Sequence, residues 1–279
     1  MKKVFILVAL AFAMTANAQV LNVASVEQLD IPAGDVKVAG IAPDGSYILL
    51  TTGTNQGLKK YDLANGNTTV LSEAPGAGYN ASISADGNTV VYRETSYDNK
   101  HMRQQALKSQ NIVSGKRQML VNNTRSSRKI ALSSNLMAER PTCSIEDRQL
   151  MITVGGTTTQ LSPLGSDKSY IWPSISPNGQ KVLFYVSGYG AYVCNLDGSN
   201  LQFLGYNLRA PKWYNNDVVI GMNDRDNGEV VISSEIVAAS LSGQTQVLTS
   251  GINAMYPYAC NGKIVCSGLQ GETYMINIQ

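Results

Sequence analysis

One pattern recurs along this chain and leaves few folds open to it: an alternating strand, a turn ending in Asp-Gly or Asn-Gly, and a second apolar strand. The fullest copy runs from Tyr170 to Tyr185. Ile171, Pro173 and Ile175 alternate with Trp172, Ser174 and Ser176. Pro177-Asn178-Gly179 then supplies residues suited to a turn with positive φ, and the apolar run Val182 to Val186 follows. The stretches Ile41 to Leu49, with Asp44-Gly45, and Ile83 to Val91, with Asp86-Gly87, repeat the same hairpin.

Taking the turn glycine or its equivalent as a marker gives Gly45, Gly87, Leu136, Gly179, Asn216 and Gly262, at intervals of 42, 49, 43, 37 and 46 residues. A period near 43 with short strands inside it is the signature of propeller blades; a β-sandwich carries no such period. A second strand-turn-strand element follows each hairpin: Lys60 to Leu71, Gln110 to Leu120, Tyr192 to Leu204 and Ala238 to Leu248. The third unit is degenerate, with Gln149 to Val154, Gly155-Gly156 and Thr157 to Leu161. Each unit therefore reads as four strands, and six units make an all-β, six-bladed propeller. The last unit ends at Glu272 to Ile278, which matches a third strand and leaves no fourth. Val23 to Ile31 resembles the fourth strands, so the N-terminal strand is expected to complete the last blade and close the ring.

Residues 1–18 combine a basic end (Lys2, Lys3), an apolar segment from Val4 to Met14 and an Ala16-Asn17-Ala18 cleavage site, the composition of a secretory signal peptide. The apolar segment is too short to span about 30 Å of hydrocarbon at about 1.5 Å per residue. The mature chain, residues 19–279, is expected to be one exported propeller domain, periplasmic or extracellular, monomeric and without a membrane span. Formal charge is +2, which points neither to a nucleic-acid surface nor to a strongly acidic partner. The basic run Arg125-Ser126-Ser127-Arg128-Lys129 reads as a solvated loop. Four cysteines, Cys143, Cys194, Cys260 and Cys266, would meet an oxidising compartment, and their spacing leaves three pairings or buried free thiols open. With Asn261-Gly262 as a two-residue turn, Cys260 faces Lys263 and Cys266 faces Pro257, which makes those two poorly placed for a disulfide.

The turns at Ala42 to Gly45, Ser84 to Gly87 and Ser176 to Gly179, with the later Asp/Asn-Leu-x-x-Gly type turns, resemble the propeller repeats of TolB and of the N-terminal domain of dipeptidyl peptidase IV. The match is strong in blades 1, 2 and 4, moderate in 5 and 6 and weak in 3. TolB-like proteins carry an α/β domain before the propeller, and the peptidases a catalytic α/β-hydrolase domain after it; the 261 residues from Gln19 have room for neither. The resemblance to TolB implies interactions in the cell envelope, by analogy of fold alone.

Catalytic signatures are sparse. The single histidine, His101, lies in the polar insertion Glu94 to Arg103 of blade 2 and reads as a surface loop residue. A multi-histidine metal site is excluded by the count, and there is no Gly-x-Ser-x-Gly elbow. The Asp-Gly turns lack the Asp-x-Asp-x-Asp-Gly run of a calcium loop, and Asn223 to Glu229, the nearest approach, departs from its spacing and reads as a polar hairpin loop. No cofactor or metal is expected.

Propellers commonly bind through one rim, built from the connections leading into each blade and the loops between second and third strands. Those connections offer Tyr79, Arg128, Tyr170, Trp172, Arg209 and Tyr256, and the loops offer Tyr97, His101, Arg225 and Asp226. Rings supply desolvated contact area and guanidinium groups directed donors, a combination suited to sugars, peptides or a partner protein. Trp172 and Tyr256 both precede prolines at equivalent sites, where packing between blades is the competing role. The expectation is a non-enzymatic binding module that recognises a protein or cell-envelope ligand through this rim. The alternative is a carbohydrate-active or peptide-processing enzyme using rim carboxylates, which a clustered Asp/Glu pair with one perturbed pKa would favour.

Overall fold

The computed structural model describes residues 19–32, 35–125, 140–260 and 262–279. The described residues form twenty-three strands and no helix, so no helix among them is long and apolar enough to cross a membrane. They are arranged in six antiparallel sheets around an axis. Blade 1 contains β2 (Lys37–Ile41), β3 (Tyr47–Thr51), β4 (Leu58–Asp62) and β5 (Thr68–Ser72), and blade 2 contains β6 (Ser82–Ile83), β7 (Thr89–Tyr97), β8 (Arg103–Asn111) and β9 (Arg117–Thr124). Blade 3 shows β10 (Thr142–Glu146), β11 (Gln149–Val154) and β12 (Thr157–Gln160); the residues in which the sequence places its first strand and turn, including Leu136, lie outside the described ones. Blade 4 is β13 (Tyr170–Ile175), β14 (Lys181–Val186), β15 (Gly190–Asn195) and β16 (Gln202–Gly205), and blade 5 is β17 (Arg209–Trp213), β18 (Val218–Asp226), β19 (Val231–Ser240) and β20 (Thr245–Val247). Blade 6 is β21 (Ala254–Cys260), β22 (Lys263–Gly268), β23 (Thr273–Ile278) and the N-terminal β1 (Val23–Gln28).

The repeated hairpin turn has one geometry wherever the sequence repeats it. In blades 1, 2 and 4 the amide of Ala42, Ser84 or Ser176 donates across the turn to Tyr47, Thr89 or Lys181, at 2.8–2.9 Å. The glycine amide donates back to the same Ala42, Ser84 or Ser176 carbonyl. Gly45, Gly87 and Gly179 sit at φ of 72°, 74° and 74°, a region that penalises any side chain, which is why glycine recurs there.

Each sheet buries both faces, so successive residues serve different neighbours. On β3, Tyr47 and Leu49 pack towards blade 2 with Val90 and Tyr92, while Ile48 and Leu50 pack towards blade 6 with Val265 and Met275. This is the physical origin of the continuous apolar runs in the second strands. Side chains also bond across the interfaces: the Tyr47 hydroxyl donates to the Gly87 carbonyl at 2.8 Å, and the Val38 amide donates to Ser267 Oγ at 2.8 Å.

The ring closes as the sequence implies. β1 pairs antiparallel with β23, from Val23 opposite Ile278 to Gln28 opposite Tyr274, and the sheet order is β1-β23-β22-β21. All four cysteines are free thiols. Cys260 does stand opposite Lys263, and burial pushes the Cys194 and Cys266 thiols up to about 12.

Candidate functional site

Strand direction assigns the ends of the propeller. The turns between first and second strands, with Gly45, Gly87 and Gly179, lie at one end, so the starts of the inner strands and the loops between second and third strands share the other. At that second end the inner strands of blades 4, 5 and 6 break their ladders at equivalent places: between Ile171 and Ser174, Arg209 and Lys212, and Met255 and Tyr258. Inside each break a residue before proline holds positive φ: Trp172 at 51°, Ala210 at 46° and Tyr256 at 54°. Bulky side chains in that region carry strain of about 1–3 kcal/mol, and such strain collects at binding sites.

The strained rings each lie beneath a cation of the next blade. Arg209 of blade 5 stands 5.9 Å from the Trp172 ring of blade 4, and Lys37 of blade 1 stands 4.4 Å from the Tyr256 ring of blade 6. Lys37 and Arg209 hold the same ladder position in their blades, opposite Thr51 and Met222. In blade 2, Arg93 lies 5.6 Å from the Tyr79 ring, and one step deeper Lys212 lies 5.3 Å from the Tyr258 ring. Trp172 also packs edge-on against Tyr185, with centroids 5.3 Å apart. Arg209 is paired with the buried Asp224 at 2.8 Å, and Ser234 Oγ holds the other oxygen of that carboxylate at 2.6 Å. Lys37, Arg93 and Lys212 have rings instead of carboxylates as partners among the described residues, and burial lowers the pKa of all three.

The residues expected at the rim separate into groups. Trp172, Arg209, Tyr256 and Tyr79 belong to the ring-and-cation arrangement, and the last two are 37% and 49% exposed. Tyr97 and His101 cap the β7–β8 hairpin at the same end, both exposed. His101 holds φ of 56° in a turn organised by Asp98, whose carboxylate accepts the Met102 and Lys100 amides at 2.9 Å and pairs with Arg125. Those contacts hold the Asp98 carboxyl down to about 2, the Met102 amide being the largest cause. Arg225 is exposed and borders a small hollow with Glu235 and Asn253, while Asp226 and Asn227 accept the turn amides of their hairpin, as a polar loop does. Arg128 lies outside the described residues.

Tyr170 is not a rim residue. Its side chain is fully buried, packs on Phe184 at 5.6 Å, accepts the Leu164 amide and donates to the Gly165 carbonyl. It ties the blade 3 to blade 4 crossing into the core, and has no surface to offer a ligand.

Lys37, Arg93, Lys212 and Tyr258 were missed. No local sequence signal marks Lys37; what it shares with Arg209 is its ladder position, opposite Thr51 as Arg209 is opposite Met222. Every carboxyl with a shifted pKa among the described residues is shifted down: Asp44, Asp86, Asp98, Asp167 and Asp197. No group of three or more His, Cys, Asp or Glu side chains among the described residues is placed to hold a metal ion.

No protein-family model matches the sequence. No curated protein matches it either. Solved structures do share the fold. A TolB protein from Agrobacterium tumefaciens superposes with a TM-score of 0.55 at 16% identity, covering 88% of this chain and 90% of that one. The Swd1 β-propeller domain from Myceliophteria thermophila gives 0.50 at 11% identity, over 91% and 100% of the two chains. An oligogalacturonate lyase in complex with manganese gives 0.49 at 11%, over 86% and 76%. At these identities the likeness is one of fold, a six-bladed propeller of the kind found in TolB.

Proposed function

We propose that this protein is an exported, non-enzymatic interaction module that recognises a protein or cell-envelope partner carrying acidic groups at the end of the propeller where the inner strands begin. The observation that supports this reading best is the repeated pairing of a strained aromatic residue with a cation of the next blade, Trp172 with Arg209 and Tyr256 with Lys37. A cation seated over a ring has no counter-charge beside it, whereas Arg209 is already met by Asp224; Lys37 and Arg93 are therefore the cations left for a ligand's carboxylate. Flat, rigid rings beside them give contact area at low entropic cost. Export rests on the signal-like residues 1–18, and the non-catalytic role on carboxyl groups held ionised by hydroxyls and amides of their own turns instead of being poised to exchange protons.

Thermal-shift screening and calorimetry of residues 19–279 against acidic peptides and peptidoglycan fragments test the proposal. Binding should weaken as salt rises, and the double variant Trp172→Ala, Tyr256→Ala should bind at least about tenfold more weakly. Turnover of a bound compound, or unchanged binding by the double variant, would sink the reading.

A further inference from the structure

A second concave feature lies elsewhere, on the outer edge of blade 5. Strands β18 and β19 run for nine and ten residues, but their outer partner β20 has only three. The short strand leaves a groove of about 860 Å3 between the end of blade 4 and the N-terminal residues 19–23. That volume falls within the range of roughly 300–1,000 Å3 usual for small-molecule sites. Its floor is apolar, from Val237, Ala239 and Val247, and none of its lining side chains is charged.

Two further observations define what the groove can hold. Tyr206, 67% exposed on its wall, is the outer member of an aromatic series that runs through Phe203, Tyr192 and Phe184 to the buried Tyr170, with successive centroids 4.8, 5.2, 5.9 and 5.6 Å apart. Packing of that kind fixes the orientation of an exposed ring before any ligand arrives. Asn207 and Asn223 also line the groove, Asn223 at the side nearer the hollow that holds Arg225 and Glu235, and no side-chain hydrogen bond engages either amide among the described residues. Each offers a donor pair and an acceptor side by side.

We infer that this groove is a binding site for a neutral oligosaccharide, separate from the ring-and-cation end. A pyranose presents an apolar C–H face that stacks on a ring such as Tyr206, and neighbouring hydroxyls that need donors and acceptors together, as the free amides supply. An acidic sugar would find no charged side chain on the lining to meet its carboxylates, at a desolvation cost. A peptide joining the sheet would need a free edge, and β20 presents three residues with the Gln246 side chain already holding the Val20 and Leu21 amides at 2.7 and 2.8 Å.

The test is calorimetric titration of residues 19–279, acetylated at the Gln19 amine so that no terminal charge stands on the groove, with cellohexaose, maltohexaose, xylohexaose and mannohexaose, and with hexagalacturonate as the charged counterpart. At least one neutral hexasaccharide should bind, hexagalacturonate should bind more weakly, and Tyr206→Ala should weaken binding about tenfold while lowering the melting temperature by no more than about 5 °C, the loss of its contact with Phe203. Asn207→Ala with Asn223→Ala should weaken it independently. Absence of binding by all four neutral sugars at millimolar concentration, tighter binding of hexagalacturonate, or full affinity in Tyr206→Ala would overturn the inference. None of these outcomes bears on the acidic ligands of the other end, so the two proposals fail separately.

Discussion

Removing residues 19–31 tests whether β1 is what closes the ring. Leu21 and Ile31 are 7% and 8% exposed, in the cores that join blade 6 to blades 5 and 1. Burying a Leu or Ile side chain contributes about 1.5–3 kcal/mol, so these two together supply roughly 3–6 kcal/mol. Val20, Val23, Val26 and Leu29, each partly buried against the same cores, add on the order of half as much apiece, which brings the strand to about 6–12 kcal/mol. A whole domain is stable by only about 5–15 kcal/mol. Truncation also strips the β23 edge of its partner, including the Leu29 amide bond to the Thr273 carbonyl at 2.8 Å. Residues 32–279 should therefore lose the cooperative thermal transition that residues 19–279 show by circular dichroism. Because the Gln279 amide donates to the Asn22 carbonyl at 2.9 Å, a circular permutant that joins residue 279 to residue 19 and opens between 33 and 34 keeps the contacts of β1 among the described residues and should melt as the parent does. As a point perturbation, Leu21→Ala should cost about 2–5 kcal/mol, or roughly 5–20 °C in a chain of this size. A truncated chain that melts at the parental midpoint would refute the closure argument, whatever the permutant does.

Ala210 occupies the same strained site as Trp172 and Tyr256 without an aromatic ring, so it separates strain from recognition. Ala210→Gly should stabilise the protein by about 1 kcal/mol and leave ligand binding intact; a drop in melting temperature would show that the positive φ carries no strain. Acid stability follows from the turn carboxylates. Asp98, held down to about 2 by the Met102 amide and Arg125, and Asp44, Asp86 and Asp197, lowered by hydroxyls and amides of their own turns, all have folded pKa values below the unfolded value of about 3.9. Their contribution is therefore complete above about pH 4 and is lost as pH falls towards 2. Urea midpoints should hold level above that range and fall below it, and Asp98→Asn should shrink the fall; an unchanged slope in that variant would contradict the assignment.

The architecture was legible because a propeller repeats its local chemistry. The need for positive φ at Gly45, Gly87 and Gly179 and the two-sided burial of the second strands are imposed on each blade separately, so a few residues at a fixed period specify them. The rim was legible only in part, and Tyr170 shows why. Strict alternation puts Tyr170 and Trp172 on one side of their strand, and both were expected at the surface. The ladder slips between Ile171 and Ser174, and Trp172 turns to positive φ, so the alternation ends there: Trp172 meets Arg209 at the mouth while Tyr170 fills the core. The proline after Trp172, Ala210 and Tyr256 marks the slip in the sequence, but not its effect on side-chain direction. Lys37 illustrates a second limit. Its ring partner Tyr256 lies near the other end of the chain, and the two meet only because β1 closes the circle and brings blade 1 against blade 6. Val23 to Ile31 imply the closure, but nothing in the local pattern says which side chains meet across it. Loss of β1 should accordingly loosen the Lys37 and Tyr256 pair before it disturbs Trp172 and Arg209, which sit between blades 4 and 5, away from that joint.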